Sequence, residues 1–180
     1  MGNTFRQCAI QINNNSNNCM LQNPMVYLYS GRCENTLPST IGPSEEGSAL
    51  FTKTSNTACG SVGVFTYELY NQSTKTVEKK MAVMFSDPFN FAQYSNYYAV
   101  GLFDKTQLCE YNLYHKMYYN TGTEFVRCHA GYPLTYKGDG LIISASMTDT
   151  YDCGLGLDLV VDLWIVLSLD LDLVLQFILD

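Results

Sequence analysis

Basic residues are few in this chain: ten Lys and Arg stand against 17 Asp and Glu in 180 residues. The imbalance is confined to one end. Residues 149–180 hold seven Asp and no Lys or Arg, which leaves ten acidic and ten basic residues in the first 148. A neutral body lacks the basic footprint that nucleic acid demands, and it lacks the polybasic patch that anionic lipid attracts. A zwitterionic ligand requires neither. The constellations of catalysis are missing too. There is no nucleophile elbow, no paired-carboxylate site and no phosphate-cradling glycine loop, since Gly60-Ser-Val-Gly63 reads as the start of a strand. The expectation is therefore no enzyme and no cofactor. The two histidines, His115 and His129, fit no zinc spacing with Cys109 and Cys128, so no metal site is expected.

No hydrophobic leader precedes Arg6, because the first five residues are short and polar. Seven cysteines are an odd count, so at least one is unpaired within a monomer, and reduced thiols are expected. A chain of 180 residues suits one domain with a full core.

Short apolar segments separated by Asn, Gly, Ser and Pro clusters recur at the spacing of a β-sandwich. Strands are predicted at 8–12, 25–29, 49–53, 61–70, 77–85, 97–103, 124–128 and 141–147. One helix is predicted at 106–119. There Tyr111, Tyr114 and Tyr118 share a face, and Leu113 pairs with Met117 at a spacing of i, i+4.

Aromatics concentrate between Met81 and Tyr119. A loop carries Phe89, Phe91, Tyr94, Tyr97 and Tyr98, and the helix adds Tyr111, Tyr114, Tyr118 and Tyr119. Tyrosines with almost no charge among them suit a quaternary ammonium, which ring faces attract without a carboxylate. Phenol hydroxyls, with Ser86, can donate hydrogen bonds to a phosphate. Together these point to a phosphocholine headgroup. On composition alone the same rings would equally fill a β-protein core.

Spacing shifts the balance toward the headgroup. The run Met84-Phe-Ser-Asp-Pro-Phe-Asn-Phe-Ala-Gln-Tyr-Ser-Asn-Tyr-Tyr98 resembles the membrane-binding loop of the actinoporins, the sea-anemone cytolysins. Leu113-Tyr-His-Lys-Met-Tyr-Tyr119 is similar to the family's Tyr-x-x-x-Tyr-Tyr helix, and Leu28-Tyr-Ser-Gly31 and Gly60-Ser-Val-Gly-Val-Phe-Thr-Tyr67 add weaker matches. The cysteine-bearing variations resemble the actinoporin-like proteins of fish. The resemblance runs from about Arg6 to Met147. It implies an actinoporin-like β-sandwich, mainly β, with one short helix packed on it. It also implies a phosphocholine pocket of Ser30, Val62, Ser86, Pro88, Tyr94, Tyr114, Tyr118 and Tyr119. The membrane-interface positions it implies are Phe91, Gln93, Tyr97 and Tyr98. Where the anemone toxins place tryptophans on the loop, this chain has Gln93, Tyr97 and Tyr98; glutamine is not an interfacial residue. The family's Arg-Gly-Asp is replaced by Asn120-Thr-Gly-Thr-Glu-Phe125.

The implied partners are phosphocholine lipids of a target membrane, sphingomyelin or phosphatidylcholine, with homo-oligomers forming on that membrane. Two functional classes follow. One is a pore-forming cytolysin with a cation-permeable pore. The other is a lectin-like module that binds lipid or glycan without perforation. The family's pore is built by an amphipathic helix upstream of the first strand, and a crossing helix needs about 20 residues. Five residues precede Arg6, so that helix is expected to be missing. The resemblance implies a protein secreted to act at a target membrane, and the want of a leader leaves soluble cytosolic storage open.

The last segment is expected to stand apart, with a sandwich at 1–148 and an aberrant Leu/Asp-rich tail at 149–180. Apolar residues alternate with Gly, Asp and Ser through much of it. As one strand, the stretch 155–175 would span roughly 70 Å at about 3.3 Å per residue, too long for a domain whose radius of gyration is about 15 Å. As a membrane helix, its Asp would each oppose insertion by about 3 kcal/mol.

Overall fold

Alternation builds the first sheet. In β1 (Gln7–Asn14), Cys8, Ile10, Ile12 and Asn14 are buried while Ala9 and Gln11 face out. The computed structural model describes residues 6–90 and 94–161. Among them the strands of this sheet run in the order β10 (Leu134–Gly138), β11 (Leu141–Met147), β12 (Asp152–Val161), β1, β5 (Glu45–Thr52), β3 (Arg32–Asn35). The second sheet has the order β4 (Thr40–Ile41), β2 (Cys19–Ser30), β6 (Ser61–Asn71), β7 (Thr76–Asp87), β8 (Tyr97–Asp104), β9 (Phe125–His129). The helix α1 (Tyr111–Tyr119) packs on the outer face of this second sheet.

The middle strands of the second sheet are buried on both faces, which is why they read as apolar runs rather than alternating ones. Phe65, Tyr67, Val83, Phe85, Tyr98 and Val100 point between the sheets into the main core. Val62, Val64, Ala82, Met84 and Ala99 point the other way, under Leu113 and Met117 of α1. The expected β-sandwich with a single short helix is what the described residues form.

The helix begins five residues later than the expected 106. Asp104 accepts hydrogen bonds from the backbone and hydroxyl of Thr106, at 2.9 and 2.6 Å, and so commits those residues to a turn. Strands β3, β4 and β10 were not expected, and β2 starts at Cys19 rather than 25.

The larger correction concerns the end of the chain. The boundary at 148 does not hold, because β12 is an internal strand of the first sheet. It pairs antiparallel with β11 and parallel with β1, Cys8 beside Cys153 and Ile12 beside Leu157. Cys153, Leu155, Leu157 and Leu159 are each 1% exposed, so the alternation is that of a half-buried strand. Its polar side is held as well: Asn13 donates to Asp158 at 2.8 Å. The described strand has 10 residues, a length that fits within the domain. The first five residues, Phe91, Gln93 and everything after 161 lie outside the described residues.

Candidate functional site

Register creates the floor of the site. Ser30 pairs with Val62, Val62 with Ser86, Ser86 with Tyr97, and Tyr97 with His129. Directly opposed residues share a face, so this row crosses five strands on the side that carries α1. The helix lays Leu113 and Met117 on the sheet and turns Tyr114 and Tyr118 toward one end of the row. Across that end, residues after β7 bring Pro88, Phe89, Asn90 and Tyr94.

The result is a cleft of about 530 Å³ lined by Tyr29, Ser30, Ala58, Cys59, Gly60, Val62, Ser86, Pro88, Phe89, Asn90, Tyr94, Tyr114, Tyr118 and Tyr119. All eight pocket residues expected from the sequence line it. None of the fourteen carries a formal charge. Within it Tyr29 stacks on Tyr114 at 5.1 Å between ring centroids, Tyr114 contacts Tyr118 at 5.6 Å, and Tyr118 contacts Tyr119 at 4.7 Å. Tyr97, outside that lining, stands edge-on to Tyr118 at 5.6 Å. Tyr114 is nearly buried, whereas Tyr119, Tyr29 and Tyr94 are exposed.

Burial pushes the Tyr114 phenol well up, reinforced by the Tyr118 and Tyr119 phenols beside it. Tyr118 rises for the same first reason, against a hydrogen bond with Ser86 that pulls it down. Both phenols therefore keep their protons at neutral pH and remain donors. The cleft can offer ring faces to a soft cation and hydroxyls to an anion while contributing no charge itself.

Two contacts fix the walls. Ser30 Oγ donates to the Gly60 carbonyl at 2.8 Å. Gly60 passes so close to β7 that a Cβ there would sit 2.0 Å from the Asp87 carbonyl oxygen, so only glycine fits. Gly31, at a φ of +94°, turns the chain out of β2 immediately beyond Ser30.

The interface residues divide. Tyr97 is half-buried, its ring between Tyr118 and His129 with the Arg127 guanidinium 5.2 Å from its centre. Tyr98 is not an interface residue, which corrects the expectation. Neighbours in a strand point to opposite faces, so Tyr98 enters the core with no exposure, its hydroxyl donating to the carbonyls of Tyr132 and Ala145. Phe91 and Gln93 lie outside the described residues.

Sequence reasoning missed Tyr29 and Arg127. Tyr29 is the extra residue of a β-bulge, because the register shifts between Leu28 and Ser30. It follows Tyr27 onto the helix side, and the bulge re-aims Ser30 to the same side. Arg127, from β9, donates to the carbonyls of Met117, Tyr118 and Asn120 at 2.9, 2.6 and 2.9 Å, and so caps the helix that carries the tyrosines. No local pattern announces either.

Residues 1–160 match the model of a family described as sea anemone cytotoxic protein. This chain belongs to that family. The match reaches through β12, past the Met147 at which the sequence resemblance stopped. Among relatives, it is 27% identical to the deep-sea actinoporin Cjtox I of Cribrinopsis japonica over 143 residues, 77% of this chain and 62% of that one. It is 29% identical to Bryoporin of Physcomitrium patens over 102 residues, 57% of this chain and 54% of the relative. The family member described here thus spans little more than half the length of these relatives. In fold it resembles the lipid binding protein Nakanori, with a TM-score of 0.65 at 10% identity over 86% of this chain and 70% of that structure.

Proposed function

We propose that this family member is a membrane-binding, cytolysin-like protein whose tyrosine cleft recognises phosphocholine headgroups, those of sphingomyelin or phosphatidylcholine. The observation that carries the reading is the convergence of eight residues, scattered from Ser30 to Tyr119, on one cleft with an uncharged lining. Tyr29, Tyr114, Tyr118 and Tyr119 offer faces to the trimethylammonium. Ser86 and the phenols supply donors for the phosphate. A zwitterion bound in this way brings no net charge into a site that has none, so neither partner is left with an uncompensated buried charge. Membrane perforation and oligomerisation, which the sequence resemblance implies, are a second step that the cleft does not itself perform.

Titration with free phosphocholine, followed by calorimetry, tests recognition. Saturable binding of phosphocholine, with no binding of inorganic phosphate alone, is the expected result. Release of calcein from sphingomyelin vesicles then separates a perforating protein from one that only binds. Absence of phosphocholine binding by folded protein would remove this reading.

A further inference from the structure

Residues 88–90 and 94–96, which bring Pro88, Phe89 and Tyr94 to the cleft, belong to no strand or helix. Their placement rests on side-chain anchors instead. On one flank Arg6, 3% exposed, donates to the Phe89 carbonyl at 2.7 Å. Its guanidinium also lies 3.7 Å from the buried Asp87 carboxylate and 4.2 Å from the centre of the Tyr151 ring. On the other flank Asn96, with no exposure, donates through Nδ2 to the carbonyls of Thr148 and Thr150, at 3.3 and 2.9 Å. The Asn96 backbone N–H donates to the Asp149 carboxylate at 3.2 Å. Both anchors reach the same place, the turn at residues 148–151 between β11 and β12.

Neither Arg6 nor Asn96 lines the cleft. Each is a buried polar group whose partners cannot be replaced by water without opening the structure, so its hydrogen bonds are expensive to break. No ladder fixes Phe89 and Tyr94; beside these anchors, Lys53 Nζ lies 5.4 Å from the centre of the Phe89 ring.

We propose that Arg6 and Asn96 are positioning residues of the cleft, through which the turn at residues 148–151 sets the placement of Pro88, Phe89 and Tyr94 and so the fit of a headgroup. The proposal rests on reading the cleft as a headgroup site. It makes recognition depend on a turn that no ligand touches, and on the ordering of β12 that ends that turn.

The test uses the full chain and two readouts. Hydrogen exchange at the Tyr94 amide, which donates to the Asn90 carbonyl at 2.9 Å, reports the anchoring whether or not the headgroup reading is right. Titration with free phosphocholine reports recognition. Asn96→Asp keeps size but turns a donor into an acceptor against two carbonyls, and Arg6→Ala removes the other anchor. We expect both to speed exchange at Tyr94 and to weaken phosphocholine binding by about tenfold, the scale of one net hydrogen bond. Exchange at the Phe65 amide in β6 should stay as in the parent. Arg6→Lys should recover part of the affinity, because it can still donate to Phe89. Tyr151→Ala, at an exposed ring outside the cleft, gives the same answer if the buried variants fail to fold. Parental exchange at Tyr94 in these variants overturns the proposal, and so does faster exchange with unchanged affinity. A parent that binds no phosphocholine removes the reading of the cleft, and the exchange data then decide the anchoring alone.

Discussion

Tyr29 lies stacked on Tyr114, ring centroids 5.1 Å apart and planes 18° from parallel, on the face that Tyr27 takes two residues before it. The bulge in β2 then turns Ser30 to this face as well. Tyr29 is 59% exposed, so it contributes to the cleft more than to the core. We expect Tyr29→Ala to weaken phosphocholine binding by about 1–2 kcal/mol, the scale of a desolvated cation–π contact. Tyr29→Phe should cost less, and neither should move the unfolding midpoint by more than a few degrees. Calorimetric titration beside thermal unfolding checks both. Equal losses for Ala and Phe would make the hydroxyl, not the ring face, the main contact.

Arg127 should behave as part of the helix. Its guanidinium holds three carbonyls at the end of α1, so Arg127→Ala should destabilise the fold by about 1–2 kcal/mol. It should also weaken phosphocholine binding, because Tyr118 and Tyr119 stand on that last turn. Denaturant unfolding and the same titration measure the two effects. Loss of stability with undiminished binding would show that the last turn does not need this cap.

How much of this was readable beforehand depends on the kind of contact. Residue types and their spacing along the loop and helix carried the family resemblance, and with it the grouping of Tyr94, Tyr114 and Tyr118 that the cleft shows. That Ser30, Val62 and Ser86 stand side by side is a matter of register, and register appears only once β2, β6 and β7 are paired. Tyr97 and Tyr98 were given one role, yet two neighbours in a strand cannot share a face. Strand β12 was read with the correct period but together with everything beyond it, so its length argued against it. Arg6 and Asn96 left no trace, since buried polar anchors have no sequence period.

Strand β12 makes a direct claim on stability. Leu157 is 1% exposed and packs in the main core. Leu157→Ala should therefore destabilise by about 2–5 kcal/mol. Gly156 faces outward with open space around it, the nearest atom to an added Cβ being Ser146 Oγ at 3.8 Å. Gly156→Ala should be neutral or stabilising, since glycine weakens a strand. Urea unfolding of the two variants decides; a harmless Leu157→Ala would remove β12 from the core.

Asp87 should give the fold a pH dependence whose sign follows from its burial. Burial pushes its carboxyl up to about 7, against the pull of Arg6 and with a further push from Asp152. Below about pH 4 the folded and unfolded chains both hold this proton, and no stability is lost. Between about pH 4 and 7 the unfolded chain releases it while the folded chain keeps it, so stability falls by up to about 1.4 kcal/mol per pH unit. Above that the loss levels off. Asp87→Asn should remove this part of the slope, seen as a stability difference between variant and parent that grows from pH 4 to 7. A difference that shrinks over that range would contradict the assignment.

Co-sedimentation with vesicles tests the central claim most directly. The cleft is uncharged and the ligand zwitterionic, so screening has little long-range attraction to weaken. The account predicts that the protein binds sphingomyelin or phosphatidylcholine vesicles equally at low and high salt, and that free phosphocholine displaces it. Binding that requires phosphatidylserine and disappears at high salt would contradict it.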